Sequence, residues 1–309
     1  MYKKIIYFPY LLFCLAFFFS CKKDHTNKVP VADAGSPISI TPPEDAVTLK
    51  GTGTDADGQI ISYLWSQVSG PNTPTIATPS SANTVVSGFN TGTYVFQLMV
   101  VDNQGATGVD TVSVLVNPSP IDSLTLTDAD AGYFDLTFAG NSSLDYTDPQ
   151  SPGLDAAAWS WNGLPDILRG SLSFDLSKLP QHIIIQSAKL NLYSDPTPNN
   201  GNLVDANYGS DNSISIQRIT STWSMSSGWF SQPTTSTQDQ VIITHTDQPR
   251  LDLIGIDVTP MVTAMYAGSN YGFFFRLVNE NENTSRLFCG VRHADASKHP
   301  SLKVVFKYN

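Results

Sequence analysis

The stretch from Arg169 to Tyr193 reads RGSLSFDLSKLPQHIIIQSAKLNLY. Leu172, Phe174 and Leu176 alternate with Ser173 and Asp175, and Ala188, Leu190 and Leu192 alternate with Lys189 and Asn191. A period of two gives a strand one dry face and one wet face. Pro180 has no N–H for a ladder, so the first strand is expected to end at the Lys178-Leu179-Pro180 turn. Two such strands need partners before their dry faces are buried.

The neighbouring sequence supplies them. Ser123–Leu126 and Phe134–Phe138 read as early strands, and Ile214, Ile216 and Ile219 as a later one. Val241–Thr244, Leu251–Asp257, the Phe273/Phe275/Leu277 run and the Leu302/Val304/Phe306/Tyr308 run read as further strands. Asn141 to Trp161 and Asp195 to Asp211 are polar loops rich in Asn, Gly and Pro. The one convincing helix follows Asp257, with Thr259 suited to the N-cap, Pro260 to the first turn and Gly268 to the C-terminal stop. Met261, Val262, Met265 and Tyr266 would cover one face and plug one end of a sandwich. Residues 121–309 thus read as a single jelly-roll-like β-sandwich.

Residues 30–117 read as a second all-β unit. Val47–Lys50, Ile60–Gln67, Val85–Val86, Tyr94–Asp102 and Thr111–Val116 are strand-like and separated by Gly- and Asp-rich turns. Trp65 sits mid-strand, where it would fill the space between two sheets. Asn117-Pro118-Ser119-Pro120 marks the boundary, with residues 118–120 as a stiff linker. Val31-Ala-Asp-Ala-Gly35, Asp55-Ala-Asp-Gly58, Ile61-Ser-Tyr-Leu-Trp65, Gly92-Thr-Tyr-Val-Phe-Gln-Leu98 and Val101-Asp-Asn-Gln-Gly105 closely resemble a polycystic-kidney-disease (PKD)-like domain of the variant with Tyr-x-Trp in its middle strand. The resemblance implies an immunoglobulin-like sandwich of the kind that serves as spacer or adhesion module. Asp55 and Asp57 could offer hard oxygens to Ca²⁺, but the residues of an EF-hand-like loop are missing and a plain Asx turn is the favoured reading.

The second unit carries its own resemblance. Arg169-Gly-Ser-Leu-Ser-Phe-Asp-Leu-Ser-Lys-Leu-Pro180, Ile185-Gln-Ser-Ala-Lys-Leu-Asn-Leu-Tyr193, Asp257-Val-Thr-Pro260, Tyr271-Gly272 and His299-Pro-Ser-Leu-Lys-Val304 look like the DNRLRE domain. That family belongs with secreted carbohydrate-binding modules, some of which take acidic polysaccharides. Where the family often has Arg-Pro before its last strand, this chain has His299-Pro300, so a role for that arginine does not carry over. The motif residues are mostly alternating core and turn positions, so the match speaks for fold before binding.

The N-terminus reads as a secretory signal over residues 1–20. Lys3 and Lys4 precede an apolar run from Ile5 to Phe19, broken only by Pro9. Phe19-Ser20-Cys21 resembles a bacterial lipobox, with Phe18 a departure from its usual aliphatic residue. Cys21 is the expected lipidation site and residues 21–29 the tether. An uncleaved anchor is the alternative, although the run falls short of the ~20 residues a spanning helix needs. With Cys14 lost and Cys21 acylated, only Cys289 remains, read as a buried structural thiol without a histidine neighbour. The formal net charge of −10 becomes more negative by two once Lys3 and Lys4 leave, which disfavours nucleic acid as a partner.

Catalytic motifs for zinc hydrolysis, a serine elbow, a Walker loop or a dinucleotide fold are absent from the sequence. His293, Asp295 and His299 read as a solvated turn rather than a metal pair. Trp223 and Trp229 lie in the polar stretch Thr220–Ser231 and are the candidate platforms for stacking on sugar rings, with packing at the loop base as the alternative. Trp159 and Trp161 carry the same ambiguity. Arg276 and Arg292 lie in a segment with six basic and three acidic residues, and are the candidate partners for sugar carboxylates. The expectation is a cell-envelope lipoprotein, at the outer membrane or cell surface. Its C-terminal domain binds polysaccharide, an acidic one included, without catalysis, and its PKD-like domain is a spacer. A polysaccharide lyase or glycosidase, and a structural adhesin with a protein partner, stay open.

Overall fold

The computed structural model describes residues 26–128, 134–140, 145–148, 150–161 and 163–308. The signal segment and Cys21 lie outside the described residues. The chain is all-β and divides into two compact units, one ending at Val116 and one running from Asn117 to Asn309, with Thr41–Glu44 belonging to the second.

In the first unit a four-stranded sheet runs in the order Ile38–Ile40, Thr107–Val116, Gly92–Asp102, Ile60–Ser69. A three-stranded sheet of Ala46–Lys50, Asn83–Ser87 and Thr75–Ile76 accompanies it. Tyr94, Phe96, Leu98 and Val100 are fully buried, which is every second residue of one strand. Trp65 joins this core as expected, its ring in the dry interior and its indole N–H donating to Ala82 O at 3.0 Å. Burying an indole while satisfying its one donor removes the cost of stranding it.

The second unit sets a four-stranded sheet and a curled nine-stranded sheet around one core. The smaller runs Ile121–Leu126, Ser301–Tyr308, Ile183–Leu192, Leu253–Asp257. The larger is centred on Gly153–Trp161, Leu164–Ser173, Phe273–Leu277 and Ile214–Ile219. The two strands of the opening stretch do not pair with each other: Leu164–Ser173 belongs to the larger sheet and Ile183–Leu192 to the smaller. The stretch therefore crosses the core and stitches the layers together. Leu172, Phe174, Leu176, Ala188, Leu190 and Leu192 all point into the shared interior. Each large aliphatic or aromatic side chain among them stabilises the fold by roughly 1.5–3 kcal/mol relative to exposure.

Three expectations change. The stretch Asn141–Trp161, read as a loop, holds the strands Asp145–Asp148 and Gly153–Trp161 of the larger sheet. The other two are boundaries. The first strand ends at Ser173 rather than at Pro180, because Asp175 accepts from Ser177 N at 3.0 Å and its hydroxyl at 2.6 Å and caps a single 3₁₀ turn, Leu176–Lys178. The helix, Thr259–Ala267, has Val258 rather than Thr259 at its N-cap. The capping carboxylate is that of Asp257, which accepts from Thr259 N at 3.0 Å and Thr259 Oγ1 at 2.6 Å. These bonds and Lys189 Nζ at 2.9 Å hold the Asp257 carboxyl down at about 2. Met261, Val262 and Met265 are buried, and Tyr266 donates to Pro180 O at 2.6 Å, which ties the helix to the crossing segment.

Candidate functional site

The loop bearing Trp223 and Trp229 folds back onto the nine-stranded sheet. Leu136, Phe138, Ile219 and Phe274 form an apolar cluster, and both indoles pack against it half-buried. Trp223 donates its N–H to Tyr271 O at 2.7 Å and sits 6.4 Å from the Phe138 ring. Trp229 receives the Arg169 guanidinium over its ring at 4.6 Å, while its backbone N–H donates to Asp145. The aromatic this loop presents to solvent is Phe230, 65% exposed.

The arginines are engaged as well. Arg169 grips Glu280 with two bonds of 2.7 and 2.8 Å, and Arg276 lies 3.4 Å from the same carboxylate. Arg292 donates to Asp135 at 2.7 Å, and Val291 N donates to that carboxylate at 2.9 Å. Burial raises the Asp135 carboxyl above its ordinary value of 3.8 despite these donors. Arg276 and Arg292 thus face different acids of the chain itself. Arg286, counted from the sequence among the basic residues of this region, is fully buried. Its Nη1 donates to Asn212 Oδ1 and Thr244 O at 3.2 Å each, and burial lowers its pKa to about 10.

An open cleft of about 460 Å³ lies elsewhere on this unit, at Trp159. The strands Gly153–Trp161 and Leu164–Ser173 form a hairpin that turns at Gly163, whose φ of +79° is a glycine conformation. Trp159 and Asp166 are direct cross-strand partners in this hairpin, and both line the cleft with Ser160 and Leu168. Residues 199–203 form the opposite wall. The small apolar cluster of Ala139, Ala157, Leu168, Ala206 and Leu287 lies under it. The wall is anchored by Asn200, which donates to buried Asp155 at 2.7 Å, and by Asn202, which accepts from Val204 N at 2.8 Å and Asp205 N at 3.0 Å. Tyr208 meets Trp159 edge-on at 5.7 Å. Burial raises the Asp166 carboxyl above 3.8, outweighing the N–H groups of Ile167 and Gly140. The result is an apolar indole beside Asn, Ser and Asp groups, a surface that can take the C–H face and hydroxyls of a sugar ring.

Asp166 and the 199–203 wall did not emerge from the sequence as site residues. The Asn162-Gly163 dipeptide was the available signal, since a two-residue turn there puts Trp159 opposite Asp166. The Trp161 side chain lies outside the described residues.

The other candidates resolve as follows. Asp57 accepts from Lys28 N at 3.3 Å and Asp55 from Asp57 N at 3.4 Å, an Asx-type turn, and no third acidic, His or Cys ligand joins them among the described residues. The His293–His299 segment is a solvated turn at residues 294–297, as expected, but both imidazole rings are only 9% exposed. His299 bridges Asp128 at 2.6 Å and His293 O at 2.7 Å. Cys289 is a buried free thiol, as expected, but it does have a histidine neighbour: His293 and Asp195 bring ligand atoms to within 4.8 Å of each other and of its sulfur.

Comparison with known proteins bears on the first unit. Residues 34–116 match the family model described as "K319L-like, PKD domain", and this region is a PKD domain. The mouse dyslexia-associated protein KIAA0319-like protein is 39% identical over 90 residues, which is 29% of this chain and 9% of that protein. The mouse low-density lipoprotein receptor-related protein 11 is 35% identical over 95 residues, 30% of this chain and 20% of that one. The chain thus spans a small part of these relatives. The solved PKD domain of the KIAA 1837 protein is 36% identical, covering 30% of this chain and 92% of its own, with a TM-score of 0.27. Among the described residues no helix is long and apolar enough to cross a membrane.

Proposed function

We propose that this chain is a cell-envelope protein that binds polysaccharide through its second unit. The observation that carries the reading is the Trp159 cleft, where an indole, a partly buried carboxylate and an asparagine-rich wall converge around about 460 Å³. Sugar recognition asks for these two parts: an apolar ring face for the C–H surface, and paired donors and acceptors for hydroxyls. The nearby carboxylate of Asp166 favours a neutral sugar unit over a uronate in this cleft, by like-charge repulsion. The PKD domain serves as spacer, and a lipid on Cys21 holds the chain to the membrane. The resemblance of the second unit to the DNRLRE domain supports the same reading.

Binding of the purified chain to immobilised neutral and uronic-acid polysaccharides, followed at two salt concentrations, tests it. Wild type retains a neutral glycan and Trp159→Ala loses it. Equal retention of both proteins would overturn the cleft assignment. Loss on Trp223→Ala, Trp229→Ala, Arg276→Ala or Arg292→Ala with folding intact would move the site to the loop face, with an acidic glycan as ligand. Release of reducing ends or unsaturated sugars from a bound glycan would favour a glycosidase or lyase. The anchor is tested separately: Cys21→Ala should abolish incorporation of a labelled acyl chain, and unchanged labelling would refute it.

A further inference from the structure

We propose that Asp195, Cys289 and His293 form a zinc site that pins the root of the loop walling the Trp159 cleft. The three residues each offer one ligand atom, and these atoms lie within 4.8 Å of one another. Backbone bonds place them. Asp195 N donates to Leu287 O at 3.1 Å, Cys289 N to Tyr193 O at 2.8 Å, and the turn closed by His293 N on Gly290 O at 3.3 Å brings the imidazole back over the thiol. Asp195 begins the loop that carries residues 199–203.

The chemistry of the set suits zinc. A thiolate, an imidazole and a carboxylate span the soft-to-hard range this ion accepts, and three protein ligands leave a fourth position open. The site also explains an otherwise costly arrangement. Asp195 is 2% exposed, and among the described residues its ion-pairing neighbour is a ring nitrogen 3.6 Å away, too far for a hydrogen bond. A buried carboxylate so placed lacks the close cation such groups require. Beside it the Ser194 hydroxyl is buried and has no hydrogen-bond partner among the described residues. Thr197 N donates to Asp195 Oδ1 at 2.8 Å and orients the carboxylate from behind.

A nucleophilic role for Cys289 fits worse. The sulfur is fully buried, and burial first, with Asp195 second, pushes the thiol up to about 12. A dication at the site reverses that preference. On uptake the thiol proton leaves to solvent. Asp295 N now donates to His293 Nδ1 at 3.2 Å, so Nε2 carries the ring proton. Ligation through Nε2 shifts this proton to Nδ1 and breaks the contact with Asp295. Zinc, thiolate and carboxylate then sum to no net charge.

Zinc content and cobalt spectroscopy on the purified full-length chain test the proposal. After chelator treatment, one zinc per chain should rebind. Cobalt should give the thiolate charge-transfer band and the intense d–d bands of a tetrahedral site, and the Asp295 amide should exchange faster in the loaded protein. Cys289→Ser should remove the charge-transfer band. His293→Gln at the rim should keep that band but weaken zinc binding at least about tenfold, which preserves the test if the serine variant fails to fold. Absence of both stoichiometric zinc and the cobalt–thiolate band in wild type would overturn the site. So would equal zinc affinity in wild type, Asp195→Asn and His293→Gln.

Discussion

Trp229 and Trp159 are half-buried indoles on the same nine-stranded unit, one in a polar loop and one near the end of a hairpin strand, and they differ in what meets their faces. At Trp229 the chain supplies the contacts itself: Arg169 lies over the ring at 4.6 Å and an apolar cluster packs beside it. At Trp159 the neighbouring side chains line open space. The charges repeat the difference. Around Trp229 the arginines are tied to Glu280, whereas the carboxylate beside Trp159, Asp166, has no ion pair among the described residues. A site is recognised by what its groups leave unsatisfied, and by that measure the loop face is a packed structure and the hairpin cleft the candidate site.

The most disruptive way to break this contrast is at Arg292. If it is structural, Arg292→Ala strands the Asp135 carboxylate, which is 2% exposed. Removing one partner of a buried pair costs ~3–5 kcal/mol, and the partial exposure of Arg292 puts the expected loss at the lower end. Urea unfolding reads this as a lower midpoint. An unchanged midpoint with lost glycan binding would return Arg292 to the ligand.

Trp159→Ala should have the next largest effect, on affinity instead of stability. A central aromatic anchor of an interface typically contributes about 2 kcal/mol or more, well over tenfold in Kd. Titration calorimetry with the retained neutral glycan should show this loss, and the urea midpoint should move less than for Arg292→Ala. Trp229→Ala should show the reverse pattern. Its stacking on Arg169 contributes roughly 0.5–1 kcal/mol at a partly exposed site, so the midpoint falls modestly while glycan affinity holds. If both tryptophan variants lower affinity equally, the contrast between the faces fails.

How much of this was legible in the sequence depends on whether local period reports the environment. Leu190 and Trp65 sit on strands with one wet face, so alternation placed them in the core; Leu172 alternates with serines in the same way, although Ser171 and Ser173 are buried as well. Arg286 sits on Thr284–Cys289, where all six residues are buried. A strand covered on both faces has no wet period to read, and its arginine looked like a surface cation. The pairing of Arg276 with Glu280, four residues on, was within reach of inspection; that of Arg292 with Asp135 depends on long-range contact. The same holds for Asp195 beside Cys289 and for the loop opposite Trp159, since loop sequence carries no period. The helix cap shifted by one residue because Asp257, outside the helical pattern, reaches the first-turn N–H better than Thr259 can cap itself.

The smallest expected effect sharpens the contrast through pH. Burial raises the Asp166 carboxyl above 3.8, so on acidification it takes up a proton before an ordinary aspartate does. As a carboxylate it accepts hydrogen bonds from sugar hydroxyls; once protonated it loses acceptor strength and must place a proton of its own. Glycan affinity should therefore be full at neutral pH and decline as pH falls through the raised value, beginning above 3.8. One hydrogen bond is worth about 1 kcal/mol net, so the decline is roughly fivefold. Asp166→Asn should start weaker and stay flat across that range. The loop face forecasts a decline too, but of another origin: were Arg276 and a uronate responsible, acidification would protonate the ligand and weaken binding, and Asp166→Asn would leave the profile unchanged. Calorimetric titration of wild type and Asp166→Asn from neutral pH to the lowest pH at which both stay folded separates the two, and a pH profile identical in both proteins would remove Asp166 from the site.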